Sequence, residues 1–308
     1  MLMRNYNFIF PGQGSQSVGM SKDILISDRS KALFNKVSEL IGYDLLDICL
    51  NGPDDLLVKT KNTQPSIFTI SILIDEMLKE CNIYPKSVAG HSLGEYAALV
   101  SSNVLGFRDA LNLIILRCKE MEKANNLSDG LMAAVLNASE DEIYKIISLA
   151  KGVLVVANYN TKSQIVISGE KTEINSAIDN FRYLSKKIKC IKLNVSGAYH
   201  SPLMKFARDA LSNAINSLNF NNADVPIYQN IDANPYQDGK KIKENLILQL
   251  ESPVKWNETI LNMKTETKNF IESGPGKVLV GMNRRISPEI CTYEANSISN
   301  INSICTIA

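Results

Sequence analysis

Residues 90–94 read Gly-His-Ser-Leu-Gly, a G-x-S-x-G pattern centred on Ser92. In front stands "KSVAG", which reads as a short buried strand. Behind it, Leu93, Ala97 and Val100 follow a helical stripe. At such a strand-to-helix turn a serine projects its hydroxyl outward, flanking glycines avoid clashes, and the helix N-terminus offers N–H groups to a developing oxyanion. The chemistry implied is nucleophilic attack on a carbonyl. A glycine-lined turn with a helix-capping serine accounts for the same five letters, so the pattern needs a base beside it.

The chain offers two histidines, His91 and His200. Adjacent side chains diverge at an elbow, so His91 reads as a structural residue bonding to nearby backbone. His200, in "GAYHSPLM", is then the candidate general base and acid. No Asp or Glu is placed by spacing to complete a triad, and a dyad with the far nitrogen of His200 held by a backbone carbonyl or an amide fits equally. A third motif, "FPGQGSQS", follows the strand-like "NFIF". Gly12 and Gly14 match a dinucleotide loop, but Ser17 stands where the third Gly belongs, and no Lys-Ser or Lys-Thr follows to make a phosphate loop. A tight turn that brings backbone and Gln13 against a reacting group remains.

The elements that must position these residues divide in two. "NFIF" leads through the Gly loop into a mostly helical region to about residue 80, then strand "KSVAG", the elbow, and a helix from about Arg108 to Lys123 with Arg117 at the edge of its apolar stripe. "NNLSDG", residues 125 to 130, reads as a loop. Residues 131 to 193 then give strand "LMAAVL", a helix opened by a Ser139–Glu142 capping box, strands "VLVVAN" and "QIVIS", a helix near 172 to 185, and strand "IKCIKLN". That βαββαβ order is ferredoxin-like. The expected fold is α/β: a large α/β-hydrolase-like domain with a parallel central sheet, residues 1–127 and 196–308, carrying an inserted ferredoxin-like subdomain, residues 128–195. Further strands are expected at "VPIYQNI" and "NFIESG". Residues at the two junctions flank the expected cleft.

The bulk properties limit the alternatives. A chain of 308 residues buries a large core, and its 33 basic against 32 acidic residues give no global field for nucleic acid or a membrane surface. No run approaches the roughly 20 apolar residues of a membrane span, and "MLMRNYNFIF" lacks a signal-peptide pattern. Six cysteines without a C-x-x-C pair suggest neither zinc nor a disulfide framework, so a cytoplasmic location is expected.

"FIFPGQGSQSVGM", "GHSLGEYAALV", "GAYHSPLM", "QLESPVKW" and "ESGPGKVL" stand in the order of the bacterial malonyl-CoA:acyl carrier protein transacylases, and over essentially its whole length the chain resembles that malonyl/acyl transferase family. The resemblance implies ping-pong transfer of malonyl from malonyl-CoA to the phosphopantetheine thiol of acyl carrier protein, for fatty acid synthesis, with no metal or redox cofactor. It implies that Ser92 carries the acyl group and His200 moves the proton. The N–H groups of Leu93 and Gln13 would form the oxyanion hole, and the Gln249 carbonyl would orient His200. Arg117 would clamp the malonyl carboxylate from a half-buried position. Asn158 and Asn160 would border the cleft with His91, although turn roles explain both asparagines as well. Tyr199, a large aromatic before the histidine, leans the acyl preference toward malonyl. A monomer is expected on the resemblance alone. Lys186, Lys187, Lys189 and Lys192 suit either an acidic carrier or a solvated face, and strand alternation would place Lys187 and Lys189 opposite Lys186 and Lys192. A serine esterase and a non-catalytic acyl-binding subunit are the competing readings.

Overall fold

In the computed structural model, which describes residues 3–307, Phe8, Ile9 and Phe10 are buried on both faces of β1 (Met3–Phe10), as a strand inside a parallel sheet requires. The first two residues and the last of the expected large domain lie outside the described residues. β1 pairs in parallel with β2 (Ile83–Gly90), in a register that sets Phe10 against Gly90. The Gly loop and the elbow therefore leave the carboxyl edge of the sheet side by side.

The remaining strands of this sheet are β7 (Ile227–Tyr228), β8 (Pro235–Tyr236), β9 (Asn269–Glu272) and β10 (Cys291–Glu294), in the order β10-β9-β1-β2-β7-β8. All neighbours are parallel except β7 and β8. Expected strand "VPIYQNI" shrinks to two residues, because Gln229 and Asn230 turn away to bond the elbow region. Helix Thr60–Glu80 packs against helix Phe107–Leu127 and is buried along most of its length. Pro65 sits inside it and cannot bond the Lys61 carbonyl; the Tyr43 hydroxyl, which donates to Asn62 Oδ1 at 2.6 Å, lies 3.3 Å from that carbonyl. The 107–127 helix continues through Asn125–Leu127, where a loop was expected.

The second sheet holds β3 (Gly130–Leu136), β4 (Leu154–Thr161), β5 (Gln164–Glu170) and β6 (Lys189–Lys192), antiparallel throughout in the order β4-β5-β3-β6. With helices Glu140–Ile147 and Lys171–Leu184 between strands, this is the ferredoxin-like arrangement. Strand alternation sends Ala133 and Val135 toward the helices, where Ile143, Ile174 and Phe181 pack, and Met132 and Ala134 toward Met121, Tyr199 and Met204 of the larger body. Two backbone bonds fasten β4 to that body: Val254 N–H to the Ala157 carbonyl at 2.8 Å, and Tyr159 N–H to the Val254 carbonyl at 2.9 Å.

Two expectations need correction. Cys81, at the end of the 60–80 helix, is disulfide-bonded to Cys305 of helix Ile298–Ile307, with Cα atoms 5.9 Å apart and a separation of 224 positions in sequence. Spacing rules recognise short-range pairs, so this one was invisible, and the cysteine argument for a reducing compartment loses its footing. Lys186 and Lys187 precede β6, so the expected alternation of four lysines does not extend to them; all four are exposed. No helix among the described residues is long and apolar enough to cross a membrane.

The expected capping box is present, with Ser139 Oγ accepting from Glu142 N–H and the Glu142 carboxylate accepting from Ser139 N–H. Ser139→Ala is expected to lower stability by about 1 kcal/mol. Urea denaturation checks this; an unchanged midpoint would show that the cap carries no weight.

Candidate active site

β2 ends at Gly90 and a helix begins at Gly94, so three residues make the elbow. A Cβ on Gly90 would run into the carbonyl carbon of Gly94, which restricts the position to glycine. Ser92 takes φ 50°, a left-handed conformation that costs a non-glycine residue roughly 1–3 kcal/mol and must be held by its surroundings. Asn230, at the end of β7, does the holding. Its Oδ1 accepts Ser92 N–H at 2.7 Å and its Nδ2 donates to the Gly90 carbonyl at 2.6 Å. Glu95, buried in the following helix, accepts from Asn230 N–H at 3.0 Å and from Gln229 Nε2 at 3.1 Å. Burial pushes the Glu95 carboxyl up to about 7, against the lowering effect of these hydrogen bonds. Sequence reasoning missed all three: Glu95 directly follows the G-x-S-x-G pattern without any sign of its partners, and Gln229 and Asn230 follow an apolar strand, where two amides after "VPIY" were the available signal.

His200 Nε2 lies 2.7 Å from Ser92 Oγ. His200 also has positive φ, 57°, so both partners of this contact sit in left-handed backbone. Its Nδ1 is 3.1 Å from the Gln249 carbonyl and 3.0 Å from the Ser252 carbonyl. Carbonyls only accept, so Nδ1 carries the ring proton and Nε2 presents its lone pair to the serine hydroxyl. The arrangement is a dyad with backbone acceptors; Ser252 was not foreseen. Gln249 has a further link, its Nε2 donating to the Ser92 carbonyl at 3.0 Å. Burial, followed by the nearby Arg117 charge, lowers the His200 pKa to about 3, and the two carbonyls oppose that shift.

Arg117 is not half-buried as expected but 1% exposed, because the 60–80 and 94–101 helices pack over the edge of its stripe. Its Nη1 donates to Gln64 Oε1 at 2.8 Å and its Nη2 to Ser92 Oγ at 3.1 Å, while Nε has no partner. The guanidinium carbon lies 5.9 Å from the centre of the Tyr96 ring. Among the described residues no carboxylate stands within ion-pairing distance of it.

A cavity of about 230 Å³ collects Ser92, His200, Arg117, Gln13, Leu93, His91, Asn158, Asn160 and Tyr199 on its walls; Gln249 lies behind His200. Ser92 N–H is taken by Asn230, whereas the N–H groups of Leu93 and Gln13 have no acceptor among the described residues. Gly12 lets the Gln13 loop come this close: a Cβ there would strike the His91 carbonyl oxygen. His91 Nε2 meets Asn160 Oδ1 at 2.9 Å, a bridge between the two bodies rather than the expected bond to nearby backbone. The Tyr199 hydroxyl is 3.2 Å from Thr60 Oγ1 and 3.4 Å from Asn125 Nδ2. Gln64, which also lines the cavity, was not foreseen.

A model of the acyl transferase domain family matches residues 7–289. The chain is 34% identical over 298 residues to the malonyl CoA-acyl carrier protein transacylase of Synechocystis, covering 96% of this chain and 99% of that protein. The crystal structure of the malonyl-CoA:acyl carrier protein transacylase of Xanthomonas oryzae superposes with a TM-score of 0.94 at 32% identity, over 100% of this chain and 99% of that one. A malonyl-transacylase solved in complex with a type II polyketide acyl-carrier protein gives a TM-score of 0.93 at 31% identity, over 98% and 99% of the two chains.

A base held near pKa 3 stays neutral through the physiological range, whereas an ordinary imidazole protonates as pH falls through about 6.5. The Ser92 acylation rate with an activated ester is therefore expected to vary less than about threefold between about pH 5.5 and 8. Stopped-flow burst kinetics measure it, and an inflection near the ordinary imidazole value would contradict the burial argument.

Proposed function

The chain belongs to the acyl transferase family, among the malonyl CoA-acyl carrier protein transacylases, and from that premise we propose that it carries a malonyl group from malonyl-CoA to the phosphopantetheine thiol of an acyl carrier protein. The activity is that of an [acyl-carrier-protein] S-malonyltransferase. One observation supports the choice of acyl group above others: a fully buried arginine with no carboxylate partner among the described residues, 3.1 Å from the serine hydroxyl. Burying an unpaired charge is unfavourable, and a planar guanidinium is relieved best by a bidentate carboxylate. Malonyl brings that carboxylate; acetyl does not.

In this reading Ser92 Oγ attacks the thioester carbonyl as His200 Nε2 takes the hydroxyl proton. The negative charge on the former carbonyl oxygen is met by the N–H groups of Leu93 and Gln13. Collapse expels the coenzyme A thiolate, which receives the proton from His200, and leaves malonyl esterified to Ser92. The carrier thiol then gives its proton to His200 and attacks the ester, and the departing Ser92 oxygen recovers the proton. Gln249 and Ser252 hold the ring tautomer through both halves. While malonate occupies Arg117, its charge offsets the guanidinium and the imidazole regains basicity. Asn158, Asn160, His91 and Tyr199 shape the acyl pocket. The carrier docks across the mouth between the two bodies, with the exposed lysines around β6 as a candidate contact for its acidic surface. A cytoplasmic location and a monomeric state accompany this reading.

Intact-mass analysis after exposure to malonyl-CoA is expected to show a malonyl adduct that persists in water and is discharged by a carrier thiol; immediate hydrolysis would point to an esterase. Ser92→Ala should form no adduct. Arg117→Ala should lower malonyl transfer by roughly 100-fold or more, the loss expected for two charge-assisted hydrogen bonds, while acetyl transfer falls less or rises. Equal losses for both acyl groups would remove Arg117 from its role.

A further inference from the structure

Gln64 is 1% exposed, and every polar atom of its amide is directed at the site. Arg117 can only donate, so the atom facing Nη1 at 2.8 Å is Oε1, which also accepts from the Cys118 thiol at 3.3 Å. Nε2 is thereby turned toward Gln13 Oε1 at 3.4 Å and Met121 Sδ at 3.8 Å. One side chain thus touches both the guanidinium and the side chain of Gln13. The bond at Nη1 also determines which edge of the guanidinium is left: Nε, which has no partner, and Nη2, which reaches Ser92 Oγ, form the edge toward the nucleophile.

We propose that Gln64 is a positioning residue for acyl selectivity: by holding Nη1 it presents the Nε–Nη2 edge of Arg117 to the substrate carboxylate. This deepens the reading of Arg117 as the carboxylate clamp and rests on it. An arginine side chain has several rotatable bonds, and without the Gln64 acceptor its fork would have no fixed plane beside Ser92. An acyl group without a carboxylate makes no bond to that edge, so its transfer should depend far less on Gln64.

The test compares kcat/KM for malonyl-CoA and acetyl-CoA in the wild-type enzyme, Gln64→Met, Gln64→Glu and Arg117→Ala, with near-UV circular dichroism to establish folding. Met keeps the length of the side chain without an acceptor for Arg117. Glu keeps its shape and neutralises the guanidinium. Both Gln64 variants are expected to lower malonyl transfer by roughly 10- to 100-fold, the range of a hydrogen bond to a charged group, with acetyl transfer changed by less than about threefold. If Arg117→Ala loses selectivity while the folded Gln64 variants lose both activities equally or neither, Gln64 has no positioning role and the clamp reading stands. If Arg117→Ala itself keeps the wild-type ratio, the clamp reading fails and the proposal with it. Unfolding of both Gln64 variants would make Gln64 a packing residue and overturn the proposal as well.

Discussion

A positive charge sealed inside the protein, without a negative partner among the described residues, is the constraint around which the site is organised. Arg117 is buried among helices, donates to one neutral amide and one hydroxyl, and keeps Nε unpaired. Each of these bonds relieves only part of the desolvation of a guanidinium. The same charge helps to lower the His200 pKa, and it stands where it can stabilise negative charge on Ser92 Oγ as the proton leaves. Nucleophile activation and acyl recognition therefore draw on one side chain. A neutral acyl group would be bound beside a charge it cannot satisfy.

That constraint explains why the histidine is held by carbonyls. A carboxylate on the far nitrogen of His200 would orient the ring equally well, but it would also add a negative charge close to Arg117 and compete with the substrate for it. The Gln249 and Ser252 carbonyls fix the tautomer while adding no net charge. The acid that does lie close behind the elbow, Glu95, is pushed up to about 7 by burial, against the lowering effect of its hydrogen bonds. Its work is done through Asn230 and Gln229, which pin the left-handed turn at Ser92. Strain at Ser92 and at His200 is thus balanced by amide hydrogen bonds and backbone carbonyls, with ionic groups kept aside.

What could be read from the sequence was local. The elbow is legible because a strand, five residues and a helix suffice to define it, and the Ser139–Glu142 cap because its two bonds close within four residues. The alternation of β3 and the order of elements around it gave the ferredoxin-like unit for the same reason. Contacts closed by tertiary packing left no such trace. Gln64 reaches Arg117 across 53 residues, Asn230 reaches Ser92 across 138, and Cys81 meets Cys305 across 224. Arg117 was placed at the edge of a stripe, correctly for an isolated helix; its full burial depends on which helices cover that edge. Residues named through family resemblance line one cavity, with Gln249 behind His200, while Gln64, Asn230 and Ser252, which hold them in place, were missed.

The two bodies meet through backbone bonds of β4 to Val254 and through the His91–Asn160 bridge, and the cavity opens where those contacts end. His91 is one residue from the nucleophile and Asn160 lies on the inserted sheet, so any shift of that sheet is felt beside Ser92. Small residues on the facing surface, Ala134 and Ala157, let the sheet approach the larger body closely, and Met132, Ala134 and Val166 of the sheet meet Met121 of the larger body on the cavity wall. These side chains are apolar, and an apolar wall strengthens the interaction between Arg117 and an entering carboxylate by keeping water from both. The insertion thus lends Met132 and Val166, beside the amides of Asn158, Asn160 and Gln164, to a site whose nucleophile and charge come from the larger domain.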